Sequence, residues 1–566
     1  MSGDVAQRAA RDGTPPPGPV LAVEDLSVGY QLGHSIKTAV RNISFELEPG
    51  QVLALVGESG SGKSTIGHAI LGLLPANGRL LGGSVRYQGR TISDLPGGRL
   101  RELRGRAISL IPQDPTVSLD PVRRVGPQVE DVLRLHTGLD SEARRKRVHE
   151  LFALVGFDDV ERRSRQFPHE LSGGMRQRVL IAAAVAAEPD VIVADEPTSG
   201  LDATVQAQVL DLIDDLRRRG GTSVVLITHD LGVAADRSDL VGVVRDGRLA
   251  ELAPTGVFVQ NPRDEYSRHL LDNVPSRLSF TRDRDRDRDR DRGRDRDRGS
   301  GTAPEDPGPA VEVRHLSKHY GGHTAVDDIS FTVARGQTFS IVGESGSGKS
   351  TTARILTGLT RATAGRVSLL GTEVGTLDTK AFRPLRRDVQ IVFQNPYASF
   401  DPRFDVLSVV EEPLRSFQPA GSARRRRQEN RDRVVAALEA ASLPASFLHR
   451  HPRELSGGQR QRVAIARALV LEPKVVVLDE PISALDVSVQ AQILELLVGL
   501  QSELGLTYVF ISHDLAVVRA ISDRVAVMRR GGIVEQGATA QVFESPASPY
   551  TAQLLGAIAG RRLAIR

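Results

Sequence analysis

A nine-residue segment, Gly57-Glu58-Ser59-Gly60-Ser61-Gly62-Lys63-Ser64-Thr65, recurs unchanged as Gly343-Glu344-Ser345-Gly346-Ser347-Gly348-Lys349-Ser350-Thr351, 286 positions later. Four further short motifs follow each copy in the same order. Gln113 corresponds to Gln394, 281 positions on. Leu171-Ser172-Gly173-Gly174 corresponds to Leu455-Ser456-Gly457-Gly458, Asp195-Glu196 to Asp479-Glu480, and His229 to His513, each 284 positions on. An offset this large and this constant requires two whole domains of one type and excludes a short-period solenoid. At 566 residues, the chain is long enough for each half to close its own core.

Composition narrows the class. Hydrophobic residues make up 40% and charged residues 25%, as in ordinary globular protein. No apolar run approaches the roughly 18 residues of a membrane span; the longest, Val179 to Ala187, is followed at once by Glu188-Pro189-Asp190. The first twenty residues are polar and lack the apolar centre of a secretory signal. There is no cysteine, which excludes disulfides, thiolate zinc sites and Cys-ligated iron–sulfur clusters and fits a reducing cytosol. The 74 basic residues barely exceed the 70 acidic ones, so no nucleic-acid partner is expected.

Residues 1–19, with Pro15-Pro16-Pro17, read as a disordered leader, 20–275 as the first domain and 311–566 as the second. Between them lies 276–310, where Arg and Asp alternate from Arg282 to Arg298 around Gly293 with nothing apolar to bury. A flexible linker of that length has a root-mean-square span of about 30–35 Å. It either raises the effective concentration of one domain near the other or is an inert spacer. Within each half, buried strands alternate with helices. Val52 to Val56 runs into the glycine segment, and a helix can start from Ser64. Val191 to Ala194 and Val224 to Thr228 are β-branched runs suited to a parallel sheet covered on both faces. Arg245-Asp246-Gly247-Arg248 predicts a hairpin, with Arg530-Gly531-Gly532-Ile533 as its counterpart. The fold class is α/β with an antiparallel portion added.

Gly57 to Ser64 fits G-x-x-x-x-G-K-[ST] in the required context, after a strand and before a helix. Gly57, Ser59, Gly60, Gly62 and Thr65 belong to a loop whose backbone N–H groups wrap phosphate oxygens. Lys63 reaches the β- and γ-phosphates, and the Ser64 hydroxyl suits Mg²⁺. Gly343, Ser345, Gly346, Gly348, Lys349, Ser350 and Thr351 repeat the arrangement. Asp195 and Asp479 close buried strands as candidate Mg²⁺ ligands, and the adjoining Glu196 and Glu480 are candidate bases for an attacking water. His229 and His513 end further strands, placed to bond a γ-phosphate or that water. Ser172 with Gly174 precedes a helix predicted to begin near Met175, and Ser456 with Gly458 repeats the motif, forming a second anion-binding surface in each half. One nucleotide per half, with two such surfaces each, points to head-to-tail pairing of the halves.

These motifs together resemble the ABC-type ATPase family across nearly all of both halves. The resemblance implies two tandem ABC-type nucleotide-binding domains, each with a parallel-sheet core, an antiparallel β subdomain and a helical signature subdomain. It implies that Gln113 and Gln394 sense Mg²⁺ and transporter contacts, that Tyr30 and Tyr320 stack on adenine, and that Asp202 and Asp486 communicate across the paired halves. It further implies two composite ATP sites: Lys63 and Glu196 completed by Ser456, and Lys349 and Glu480 completed by Ser172. A finer resemblance is to the oligopeptide/dipeptide/nickel importer branch. Gln113 to Pro121 and Gln394 to Pro402 carry it, as do the tails Asn261-Pro262…Tyr266…Leu270-Leu271 and Ser545-Pro546…Pro549-Tyr550-Thr551…Leu554-Leu555. Asp264-Glu265 departs from the branch's His-Pro before Tyr266. The branch implies two transmembrane permease subunits, an extracytoplasmic substrate-binding protein, and a location on the cytoplasmic face of the plasma membrane. The run Arg424 to Arg427, ahead of a predicted helix from Val434 to Ala441, is either a solvated face or a contact near the membrane. Two rivals stand beside the importer: a soluble tandem ATPase acting on ribosomes or nucleic acid, and an exporter ATPase.

Overall fold

The computed structural model describes residues 18–278, 280, 308–375, 377, 378, 380–417, 423–483 and 485–563. Apart from residues 18, 19, 276–278, 280 and 308–310, the expected leader and Arg-Asp linker lie outside the described residues. The chain forms two compact units, Met1–Val274 with Ala559–Arg566, and Pro275–Ile558. Residues 559–563 thus belong to the first unit rather than to the expected second domain. The Asp236 carboxylate accepts hydrogen bonds from the N–H groups of Gly560 at 2.7 Å and Arg562 at 3.1 Å.

In the first unit a six-stranded sheet runs in the order Arg248–Pro254, Leu240–Arg245, Val52–Val56, Ser223–Ile227, Val191–Asp195, Ile108–Ile111. All neighbours are parallel except the outer pair, Arg248–Pro254 against Leu240–Arg245. Every residue of Val52–Val56, Val191–Asp195 and Ser223–Ile227 is buried. Helices cover both faces of such a sheet, which is why these strands read as unbroken apolar runs rather than alternating ones. A second sheet, antiparallel, runs Ser35–Leu47, Leu21–Leu32, Gly78–Tyr87, Arg90–Thr91. Three longer helices, Val125–His136, Ser141–Leu154 and Gly173–Val185, share one core in which Val125, Val129 and Leu133 meet Leu151, Phe152 and Val179. The spacing of Val125, Val129 and Leu133 is the four-residue repeat of a helix face.

The second unit repeats the plan. Its six-stranded sheet runs Val389–Val392, Val475–Asp479, Thr507–Ile511, Thr338–Val342, Arg524–Arg529, Gly532–Ala538, and its antiparallel sheet centres on Val311–Tyr320 between His323–Val333 and Ala364–Leu369. Two local expectations are corrected. The helix predicted from Val434 begins at Ala423, so the arginine run opens it rather than preceding it. Arginine is a good helix former and needs no apolar face to extend a helix N-terminally. The hairpin turn of this unit is Arg530-Gly531, because Arg529 pairs with Gly532. Arg530 and Gly531 adopt φ of 48° and 89°, matching 49° and 76° at Asp246 and Gly247. Both are the positive-φ pair of a tight two-residue turn.

Candidate ATP sites

The phosphate loops have the same backbone in both units. Gly57, Gly60 and Gly62 have φ of 145°, 80° and 107°, and Gly343, Gly346 and Gly348 have 149°, 79° and 106°. A Cβ on Gly57 would lie 2.1 Å from the Val244 carbonyl oxygen, and one on Gly343 2.2 Å from that of Met528. Only glycine fits there. The loops deliver Lys63–Ile70 and Lys349–Leu356, helices with Gly62 and Gly348 at the N-cap and N–H groups open toward the loop. Lys63 is buried and its ammonium donates to the carbonyls of Gly57 at 2.7 Å and Glu58 at 2.8 Å. Lys349 repeats this with Gly343 and Glu344 at the same distances. The charge is thereby held inside the loop.

The hairpin turn beside each loop locks it. The Gly247 N–H donates to the Ser61 carbonyl at 3.0 Å, and the Gly247 carbonyl accepts from the Arg41 N–H at 2.7 Å. In the second unit Gly531 makes the same two bonds, with Ser347 at 3.1 Å and Asp327 at 2.9 Å.

Asp195 and Asp479 end their strands beside the loop. The Ser64 hydroxyl donates to Asp195 Oδ1 at 3.0 Å, and Ser350 to Asp479 Oδ1 at 3.2 Å. Burial pushes both aspartates above the usual carboxylate range, against those serine hydrogen bonds. A hydroxyl and a carboxylate side by side form an oxygen-only donor set, which fits a hard cation such as Mg²⁺.

Glu196 and Glu480 follow with φ of 45° and 46°, a left-handed backbone costly for a non-glycine residue. That turn aims the carboxylates at two donors. Glu196 lies 3.2 Å from His229 Nδ1 through Oε1 and accepts from Gln113 Nε2 at 2.8 Å through Oε2. Glu480 lies 3.1 Å from His513 Nδ1 and accepts from Gln394 Nε2 at 2.8 Å, both through Oε2. Burial raises both glutamates, but the bonds and charge of the histidine, the nearby lysine and the glutamine bond outweigh it, so both sit below their ordinary value. His513 is raised: its burial lowers it, and Glu480 more than reverses this. The sequence placed the histidines and glutamines on phosphate, water or metal; here they hold the Glu196 and Glu480 carboxylates.

Ser172 and Ser456 cap Gly173–Val185 and Gly457–Leu469, each hydroxyl accepting from the N–H three residues on at 3.3 Å. Capping uses an oxygen lone pair, so the O–H remains able to donate to an anion. Gln459 returns a bond to the Ser456 N–H at 3.0 Å, a reciprocal cap that Met175 cannot make. The first helix starts at Gly173, two residues before the predicted Met175. Gly173 faces open space, whereas a Cβ on Gly174 would lie 2.5 Å from Val205 Cγ1, and one on Gly458 2.4 Å from Val489 Cγ1. These two glycines therefore also allow close helix packing. Val205 belongs to Ala203–Gly220, which Asp202 caps by accepting from the Val205 N–H at 3.1 Å; Asp486 holds the same place before Val487–Leu504. Tyr30 shares a hydrogen bond with Thr65 at 2.9 Å, while the Lys318 ammonium sits 4.8 Å from the centre of the exposed Tyr320 ring.

Glu251, Glu535 and Arg529 escaped the sequence reading. Glu251 accepts from the N–H groups of Arg263 and Asp264 at 2.9 and 3.2 Å, and Glu535 from those of Ala547 and Ser548 at 2.8 and 3.0 Å. Arg245 lies over the Tyr266 ring at 4.7 Å and Arg529 over Tyr550 at 4.5 Å. These residues fix the tails to the edge hairpins, and their common offset of 284 was the signal that could have found them. Asp264, the departure noted above, caps Glu265–Asp272 by accepting from the Tyr266 N–H at 2.9 Å, whereas Pro549 opens the second tail helix. Two different chemistries start the same helix.

A phosphate loop accompanied by a separate Ser-Gly-Gly helix, on a parallel sheet with an antiparallel sheet beside it, defines an ATPase of the ABC class. The sequence pattern described as "ABC transporter" matches residues 40–199 and again 326–483, and that of "Oligopeptide/dipeptide transporter, C-terminal region" matches 534–562. The chain belongs to the ABC transporter family. The oligopeptide transport ATP-binding protein OppD of Mycobacterium tuberculosis is 41% identical over 95% of this chain and 98% of its own length. The peptidoglycan transport ATP-binding protein YejF of Agrobacterium fabrum is 42% identical over 95% and 96%, and the glutathione import ATP-binding protein GsiA of Pectobacterium atrosepticum 41% over 95% and 89%. The chain is an ATP-binding, ATP-hydrolysing subunit of the importer kind. Among the described residues no helix is long and apolar enough to cross a membrane.

Proposed function

We propose that this chain energises uptake of peptides or peptide-like small solutes through two separate permease subunits, on the cytoplasmic face of the membrane, with an extracytoplasmic binding protein selecting the solute. The observation that carries this reading is full-length similarity to relatives named for oligopeptide, peptidoglycan and glutathione transport. The loop N–H groups with Lys63 or Lys349 take the β- and γ-phosphates, and Tyr30 or Tyr320 offers a face to adenine. Ser64 with Asp195, and Ser350 with Asp479, would hold Mg²⁺, with Gln113 and Gln394 in reach; the ion supplies charge neutralisation on the phosphates. Glu196 and Glu480, kept anionic, accept the proton of the attacking water. His229 and His513 then orient that carboxylate and stay within reach of the γ-phosphate.

Both halves retain base, lysine and signature serine, so both sites are read as hydrolytic. Each is completed by the other half's serine: Ser456 with Lys63 and Glu196, Ser172 with Lys349 and Glu480. ATP-driven closure of the halves and reopening on hydrolysis would drive the permeases. The test is reconstitution in proteoliposomes with candidate multi-span permease subunits from the same host. ATP-dependent uptake of a labelled tripeptide, lost in the E196Q/E480Q double variant, is expected. A turnover rate indifferent to the permeases, together with co-sedimentation with ribosomes, would replace this reading with the soluble-factor one.

A further inference from the structure

The chain has no cysteine and three methionines, so its sulfur chemistry rests on thioethers alone. Met1 lies outside the described residues, and Met528 is fully buried in the strand Arg524–Arg529. Met175 differs. It is half-buried, in the first turn of Gly173–Val185, where it packs against the helical core with part of its side chain in reach of solvent. Of the two described thioethers, it is the one open to a dissolved oxidant.

The second unit shows what a polar head does at this position. Ser172 and Ser456 hold the same backbone, φ −66° and ψ 165° against φ −67° and ψ 167°. Each hydroxyl accepts from the N–H three residues on at 3.3 Å. Gln459, half-buried like Met175, closes the reciprocal bond: its Oε1 accepts from the Ser456 N–H at 3.0 Å. No described residue returns a bond to the Ser172 N–H. A methionine is as long to its sulfur as a glutamine is to its amide carbon. Sδ therefore stands where Cδ stands, and an oxygen added to the sulfur stands where Oε1 does. A thioether is a weak acceptor, whereas a sulfoxide is polar and carries a bare oxygen.

We propose that Met175 is an oxidation site whose sulfoxide accepts from the Ser172 N–H and completes the cap, giving the first signature helix the terminus that Gln459 gives the second. In the step, one oxygen of hydrogen peroxide bonds Sδ as the O–O bond breaks. The sulfur gives up two electrons, the proton of the transferred oxygen passes to the departing one, and water leaves. Reduction by two thiols, which become a disulfide as the sulfoxide oxygen leaves as water, restores the thioether. The consequence for catalysis rests on the reading that Ser172 completes the site of Lys349 and Glu480. A Ser172 held by two bonds instead of one loses less freedom when ATP arrives, so that site binds ATP more tightly in the oxidised chain.

The test treats the full-length protein with hydrogen peroxide and follows its methionines by peptide mass spectrometry. Met175 should oxidise at least about tenfold faster than Met528. Deuterium exchange in a peptide spanning 171–176 should then slow about two- to twelvefold, the range of one ordinary hydrogen bond. M175Q should exchange slowly without peroxide, and M175L should stay fast with it. The two epimer-specific methionine sulfoxide reductases, supplied with dithiothreitol, should undo the change in the wild type. In ATP turnover, KM should fall about two- to fivefold on oxidation and in M175Q, with kcat held within about twofold. Oxidation of Met528 as fast as Met175, or exchange at 171–176 that quickens or stays the same on oxidation, would overturn the proposal. Slower exchange with KM unmoved in both the oxidised protein and M175Q would sustain the cap and remove Ser172 from the nucleotide, sinking the composite-site reading instead.

Discussion

Gly174→Ala separates packing from nucleotide binding at the signature helix. The new methyl would lie 2.5 Å from Val205 Cγ1, and contacts below 3.0 Å require movement. Val205 sits in a helix, where a β-branched side chain has essentially one rotamer, so the helices rather than the side chain must give. Overpacking of this kind costs about 1–3 kcal/mol. At about 2–4 °C per kcal/mol for a domain of roughly this size, the melting temperature should fall by about 2–12 °C. Val205→Ala removes the obstructing methyls and by itself costs on the order of 1 kcal/mol. In the double variant the two losses should not add: the coupling should favour the pair by about 1–2 kcal/mol. Melting and ATP turnover are measured on all four proteins of the cycle. If Gly174 acts through packing, turnover recovers with stability in the double variant. Recovery of stability without turnover would refute this and return the glycine to the nucleotide. Additive losses would refute the packing geometry itself.

Three further outcomes are expected. The double variant E196Q/E480Q should lose about 10²–10⁴-fold in turnover while retaining ATP binding, because glutamine can still bond Gln113 or Gln394 but cannot accept a proton; unchanged turnover removes the assigned bases. The Glu480–His513 pair should stabilise the second unit most between the ordinary values of its members, 4.5 and 6.5. The raised histidine loses its contribution as pH rises through its folded value, and the lowered glutamate as pH falls through its own, so the melting difference between wild type and H513Q should peak near pH 5–6 and shrink on both sides; a difference that grows toward pH 9 contradicts the pairing. Finally, Ser172→Ala and Lys349→Ala should be non-additive in turnover if they serve one composite site; additivity would argue for independent sites.

What the sequence made legible was mostly local backbone chemistry. Glycines at Gly57 and Gly62 announce a loop that no other residue can enter, and Val52 to Val56 announces a strand buried on both faces. Long-range contacts were less readable. The bond from Gln113 to Glu196 spans 83 positions and depends on a left-handed turn at Glu196 that nothing in the residue type signals. Gly174 was read by its motif, yet its fit against Val205 is a property of two packed helices. The helix start at Ala423 was missed because the prediction followed apolar periodicity, which arginines do not show. The turn at Arg530-Gly531 was misplaced by one because three candidate positions contain two glycines.

The turn at Gly247 and its twin at Gly531 each bond the phosphate loop with the amide N–H and the antiparallel sheet with the carbonyl. A single residue thus joins the sheet that carries Tyr30, or Tyr320, to the loop that carries Lys63, or Lys349, the two parts proposed to take the purine and the phosphates. Such a rivet leaves little freedom for one to tilt without the other. Ligands engaging only one end, such as adenosine or pyrophosphate, should accordingly stiffen both regions in hydrogen exchange.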